Sequence, residues 1–106
     1  MIPPELDPLL KRVEQSPGNE LFRFSLAKAL FDKALYTEAI QHFEIALEKK
    51  PDWMLVAILL GKSWLQLHQR EKAKQYFELG QKLARDQKHD GPLEETTALL
   101  EQLNEG

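Results

Sequence analysis

Three histidines, His42, His68 and His89, are the first candidates for chemistry in this chain of 106 residues, because it contains no cysteine. Without thiols there is no cysteine nucleophile, thiolate zinc site or disulfide, a composition that fits a reducing compartment. The histidines are scattered along the chain. His68 has a carboxylate at helix-face spacing, Glu71 three residues on, and one such pair does not make the three- or four-ligand set that holds a metal. Ser16, Ser25 and Ser63 lack the Gly-x-Ser-x-Gly context of an exposed nucleophile. No spacing brings a nucleophile, a base and an orienting group to one cleft. We therefore expect no catalytic residue, no metal and no cofactor, and read the histidines as solvated or structural.

The charge balance narrows the partner class further. Fourteen Lys and Arg against seventeen Asp and Glu leave a formal net charge of -3, with a pI near 5.6. Such a chain exerts no long-range attraction on phosphate backbones or anionic lipid, so neither nucleic acid nor membrane is an expected partner. Met1-Ile2-Pro3-Pro4-Glu5 lacks the basic and then apolar stretch of a secretory signal. The longest apolar run, Trp53 to Leu60, falls far below the ~20 residues needed to cross a bilayer. These features predict a cytoplasmic protein.

What positions the remaining side chains is a repeat. Pro17 and Pro51 stand 51 - 17 = 34 residues apart, and the same shift lays Leu21 on Leu55, Leu26 on Leu60, Lys28 on Lys62, Ala39 on Ala73 and Phe43 on Phe77. The opposite shift lays Leu6, Leu9 and Val13 on Ile40, Phe43 and Leu47, so the chain enters the repeat in mid-phase. Within each unit the apolar residues recur at i, i+3, i+4 and i+7, as in Leu26, Ala27, Leu30 and in Ile40, Phe43, Leu47. Asn19 and Asp52 are the expected N-caps after Pro17 and Pro51, Thr37 opens the next helix, and Pro92 occupies the first turn of a last one. The spacing predicts six helices at about 8–15, 20–33, 37–49, 53–67, 71–87 and 92–104. The expected organisation is a single domain, 1–106, with a partial unit at 5–19, repeats at 20–53 and 54–87, and a capping helix at 92–104.

These units resemble the tetratricopeptide repeat. The first reads Leu26-Ala27, Leu30, Tyr36, Ala39, Phe43, Ala46, Pro51, and the second Leu60-Gly61, Trp64, Ala73, Phe77, Gly80. Small residues at Ala27 or Gly61 and at Ala39 or Ala73 let paired backbones approach closely, and the aromatics fill the space left over. The chain departs from the family pattern in three places. Arg23 and Ala57 stand where an early tryptophan is common, Leu30 replaces an aromatic, and Arg85 replaces the second closing proline. The resemblance implies an all-α fold, a right-handed array of antiparallel helix hairpins whose first helices line a concave groove.

That groove implies a non-catalytic module that binds a peptide or a helix of another protein. Its candidate residues are Leu21, Phe24, Lys28 and Phe31 on one first helix, and Leu55, Ile58, Lys62 and Leu65 on the other. Two apolar stripes with a lysine at the same phase predict a ligand that is apolar and acidic. The carboxylate clamp of some family members is not expected, because Phe24, Lys28 and Leu59 occupy places where its lysine and asparagines belong. Self-assembly into a homodimer through the same apolar surface is the alternative, and the helix at 92–104 is expected to dock on the second unit by Leu93, Leu100 and Leu103.

Overall fold

The computed structural model describes residues 2–105. They form six α-helices, α1 (Asp7–Gln15), α2 (Glu20–Asp32), α3 (Tyr36–Lys49), α4 (Met54–Gln66), α5 (Arg70–Asp86) and α6 (Asp90–Glu105), with a 3₁₀ turn at Pro4–Leu6 ahead of α1. No strand occurs among the described residues. Contacts divide the chain into two compact units, Met1–Pro51 and Asp52–Gly106.

In the first unit α2 packs on α3 and α1 packs on α2. The seam is lined by Leu26, Ala27, Leu30, Ala39, Phe43 and Ala46, all without accessible surface, and Leu6 and Val13 extend it under α1. Phe43 is the largest of them, and full burial of a side chain of this kind stabilises by roughly 1.5–3 kcal/mol. Alanines on both sides of the seam leave room for the ring. Lys33 Nζ, at the far end of α2, meets Glu5 at 2.8 Å. The hydrogen bond from Lys33, then one from backbone, hold the Glu5 carboxyl below the usual carboxylate range.

In the second unit α4 packs on α5, and α5 carries α6 on another side. Every residue from Val56 to Gly61 is buried, so α4 is enclosed along its middle on nearly every side. The ring of Phe77 lies flush on the backbone of Gly61. A Cβ built there would fall well inside contact distance of Phe77 Cε1 and Cδ1. At Gly80 the same construction would meet Ile58 Cγ1 at 2.9 Å and Thr96 Cγ2 at 3.5 Å, so this glycine admits α4 on one side and α6 on the other. The two fully buried hydroxyls are satisfied by their own helices: Ser63 Oγ donates to the Leu59 carbonyl at 2.8 Å, and Thr96 Oγ1 to that of Pro92 at 2.8 Å.

The helix ends differ from the sequence expectation in instructive ways. Asn19 is the N-cap of α2 as expected, its Oδ1 accepting from the amides of Leu21 and Phe22. Asp52 is not the cap of α4. It belongs to the turn after Pro51, its carbonyl accepts from Gln87 Nε2 at 2.9 Å, and Trp53 takes the cap position with no side-chain bond. Tyr36, not Thr37, opens α3, and α6 begins at Asp90 with Pro92 inside its first turn, where a missing N–H costs nothing.

Helices α2, α4 and α5 all end in the same device. Ala34, His68 and Lys88 adopt left-handed backbone, with φ of 61°, 60° and 58°. The next residue in each case donates five positions back, Leu35 to the Leu30 carbonyl, Gln69 to Trp64 and His89 to Ala84, each at 2.9 Å. This is the Schellman arrangement, usually built on glycine. Its recurrence at 34 and 68 repeats the sequence period in the backbone.

Two predictions follow from these close contacts. Gly61→Ala should cost ~1–3 kcal/mol of unfolding free energy, because the fully buried Phe77 ring has nowhere to retreat. Gly91→Ala, with nothing within 4 Å of its Cβ, should be neutral or gain up to about 1 kcal/mol of helix propensity. Urea midpoints measure both, and equal effects from the two would show that the Phe77–Gly61 contact is not the constraint. At Ala34, His68 and Lys88, substitution by glycine relieves left-handed strain of about 1–2 kcal/mol against a chain-entropy cost of ~0.4–1 kcal/mol. Each variant should therefore melt slightly above the wild type in calorimetry, and a fall at all three sites would refute the strain argument.

Candidate functional site

The first helix of each hairpin was expected to present the ligand-facing stripe, and the structure sorts its eight residues into three kinds. Leu21 and Leu55 are exposed, at 62% and 47% of their surface. They are the two large hydrophobic side chains most open to solvent among the described residues, and they occupy the same position of the 34-residue unit.

The aromatic and aliphatic members are partly or wholly core. Phe24 and Phe31 are half-buried, with ring centroids 6.1 Å and 6.4 Å from that of Phe43, and Phe31 meets Tyr36 edge-on at 5.5 Å. Their tilted and edge-on geometry is the favourable one for aromatic pairs. Leu65 is half-buried. Ile58 corrects the sequence reading: it is 3% exposed and lies against Gly80, so it packs α4 on α5 and offers no surface to a ligand.

Both lysines are engaged within the chain. Lys28 Nζ is 2.7 Å from Asp32 on its own helix, and Lys62 Nζ is 3.0 Å from Glu95 of α6. Exposed pairs of this type are worth about 0–1 kcal/mol, so a ligand carboxylate faces weak competition, but the lysines are not unpaired cations waiting for one. The expected preference for an acidic ligand is reduced accordingly.

α6 packs on α5 within the second unit. Thr96 is its fully buried residue, seated at Gly80, while Leu93, Leu100 and Leu103 are half-buried. Gln81 Nε2 donates to Thr97 Oγ1 at 3.1 Å, and the Arg70 guanidinium donates to the Leu103 carbonyl near the end of α6. Thr96 was missed because a threonine reads as a surface residue until its hydroxyl is bonded back to its own helix. Phe77 is fully buried. Trp64 lies beneath Lys72, whose Nζ sits 4.1 Å from the ring centroid, an attraction between cation and π face that helical i, i+8 spacing does not flag.

The histidines meet no metal-binding geometry: no group of three His, Cys, Asp or Glu side chains comes together among the described residues. His68 serves the left-handed turn after α4. His42 faces Arg23 across the α2–α3 seam, Nη1 standing 3.3 Å from Nδ1. No described helix is long and apolar enough to cross a membrane.

Hairpins with alanine or glycine at the seam and a buried aromatic opposite define a tetratricopeptide-like all-α protein, and the comparisons agree. A tetratricopeptide repeat domain protein of Salinibacter ruber superposes with a TM-score of 0.73 at 23% identity, over 83% of this chain and 89% of that one. A protein of Bordetella parapertussis known from a solution structure superposes with a TM-score of 0.82 at 25% identity, over 99% of this chain and 90% of that one. Residues 20–104 match the family described as Regulator of microtubule dynamics protein 1-3, and the chain belongs to that family. No curated protein matches the chain in a sequence search.

The sorting of the stripe has a measurable consequence. Leu21→Asp and Leu55→Asp should leave unfolding free energy within about 0.5 kcal/mol of wild type, being exposed positions in a helix first turn. Ile58→Ala should cost ~2–5 kcal/mol as a core truncation. Chemical denaturation of the three variants tests this, and a large loss from either aspartate would mean that its leucine is a packing residue.

Proposed function

We propose that this chain is a non-catalytic protein-binding module that takes a peptide or helix of a partner protein on the first-helix faces, at Leu21, Phe24, Lys28 and Phe31 of α2 and at Leu55, Lys62 and Leu65 of α4. The observation that carries this reading is the exposure of Leu21 and Leu55 at one repeat position of both units. Isolated exposed leucines are ordinary on protein surfaces. Two at the same phase of a repeat are what a surface reading a partner at regular intervals requires. The tetratricopeptide-like fold supports the same class of function, and the repeat frame of 20–53 and 54–87, with α6 as the capping element, is part of this reading.

The family description names microtubule dynamics, which makes assembled tubulin the first partner to test in a cytoplasmic setting. The net charge of -3 disfavours nucleic acid. A homodimer through the same leucines is the second reading, favoured by the same exposure.

The test uses the Leu21→Asp, Leu55→Asp double variant, confirmed as folded, beside the wild type. Capture from lysate and co-sedimentation with polymerised tubulin should both weaken at least tenfold if these leucines carry recognition. Equal capture by both proteins overturns the assignment of the surface. Sedimentation velocity across a hundredfold concentration range separates the readings, since a wild type that dimerises and a double variant that does not would favour self-assembly.

A further inference from the structure

Arg23 stands where tetratricopeptide units often carry a tryptophan, and its guanidinium is threaded into the α2–α3 seam. Nη2 donates to the Pro17 carbonyl at 3.1 Å, Nη1 reaches His42 Nδ1 at 3.3 Å, and Nε is buried with no partner. Because the guanidinium is always protonated and can only donate, His42 Nδ1 must accept, which leaves the imidazole neutral with its hydrogen on Nε2. Glu20 lies one turn before Arg23 on α2 and Glu38 one turn before His42 on α3, both half-buried. Lys49, two turns on along α3, is exposed, as are Lys11, Arg12 and Glu14 of α1, which packs on α2.

We propose that the first hairpin carries a proton-responsive contact: a proton added to His42 turns its hydrogen bond with Arg23 into two facing cations and loosens α2 from α3, while the second hairpin keeps its packing. The second hairpin provides an internal control, because the repeat shift places Ala57 and Tyr76 where Arg23 and His42 stand.

Burial first, and the Arg23 charge second, depress the His42 pKa below its ordinary 6.5. A depressed value means that the folded state binds this proton less readily than the unfolded chain. The stabilisation is therefore complete above the ordinary value, and is lost as pH falls through it towards the folded-state value. The ordinary carboxylate value, about 4, lies below this window.

Hydrogen exchange read by NMR at about pH 7.5 and about pH 5.5, with rates corrected to protection factors, tests the proposal on the intact chain. The expected result is a several-fold loss of protection in α2 and α3 at the lower pH relative to α4 and α5. In His42→Gln, which keeps an acceptor for Arg23 but takes up no proton, the differential loss should vanish, and in His68→Gln, at an exposed turn, it should persist. Equal loss in both hairpins, or a differential loss that survives in His42→Gln, overturns the proposal. If His42→Gln does not fold, the wild type decides the question through the imidazole resonances: His42 titrating at or above the ordinary histidine value overturns the proposal, and titration below it sustains the proposal.

Discussion

The close approach of paired helices at positions with little or no side chain is the constraint on which everything else rests. Phe77 lies on Gly61 so tightly that a methyl group has no room. Phe43 occupies the matching place beside Ala27 and Ala39, and all three are without accessible surface. A large ring opposite a small residue does two jobs at once. It buries much apolar area for one residue, and it fixes the rotation of each helix about its axis, because a ring that fills a single gap tolerates no slippage. With that rotation fixed, the exposed face of α2 and of α4 is fixed too. Leu21 and Leu55 are open because Leu26 with Ala27, and Leu60 with Gly61, are closed.

The turns enforce the same geometry from outside the seam. The left-handed residues Ala34 and His68 reverse the chain within three residues, and their Schellman bonds return to Leu30 and Trp64, the same repeat position. Neither is glycine, so the sequence contains no sign of the left-handed step, and the packing of the hairpin must hold the backbone there. Lys88 closes α5 in the same way although Arg85 stands where a proline would. Without that proline α5 runs to Asp86, past the position equivalent to the end of α3, and its Gly80 and Gln81 meet Thr96 and Thr97 of α6.

How much of this was legible from residues follows from what kind of information each feature uses. A period of 34 with alanine, glycine and phenylalanine in phase specifies helix hairpins, because size and spacing are written in residue types. The six helices appear within a few residues of the expected bounds. The candidate stripe was legible only in part. Apolar spacing marks Leu55 and Ile58 as one face, yet a helix enclosed along Val56–Gly61 has more than one buried side, and the pattern cannot say which side stays open. Charge partners were least legible. Lys62 with Glu95, Lys72 over Trp64 and Arg23 beside His42 join different helices or different turns, and long side chains reach them along paths that spacing does not encode.

Those charge partners bear on what the surface can select. Lys28 and Lys62 meet carboxylates at 2.7 Å and 3.0 Å in pairs that are exposed on both sides. Water and salt screen such pairs, so they neither hold the fold together strongly nor leave a strong field over the α2 and α4 faces. A ligand carboxylate arriving there exchanges one screened partner for another, and the net gain is small. Removing Leu21 or Leu55 from water is different in kind. The free energy of burial has no internal competitor, and full cover of a leucine is worth roughly 1.5–3 kcal/mol. On the proposed reading, selection at each face rests on apolar contact, with charge acting as a secondary filter that weakens as ionic strength rises.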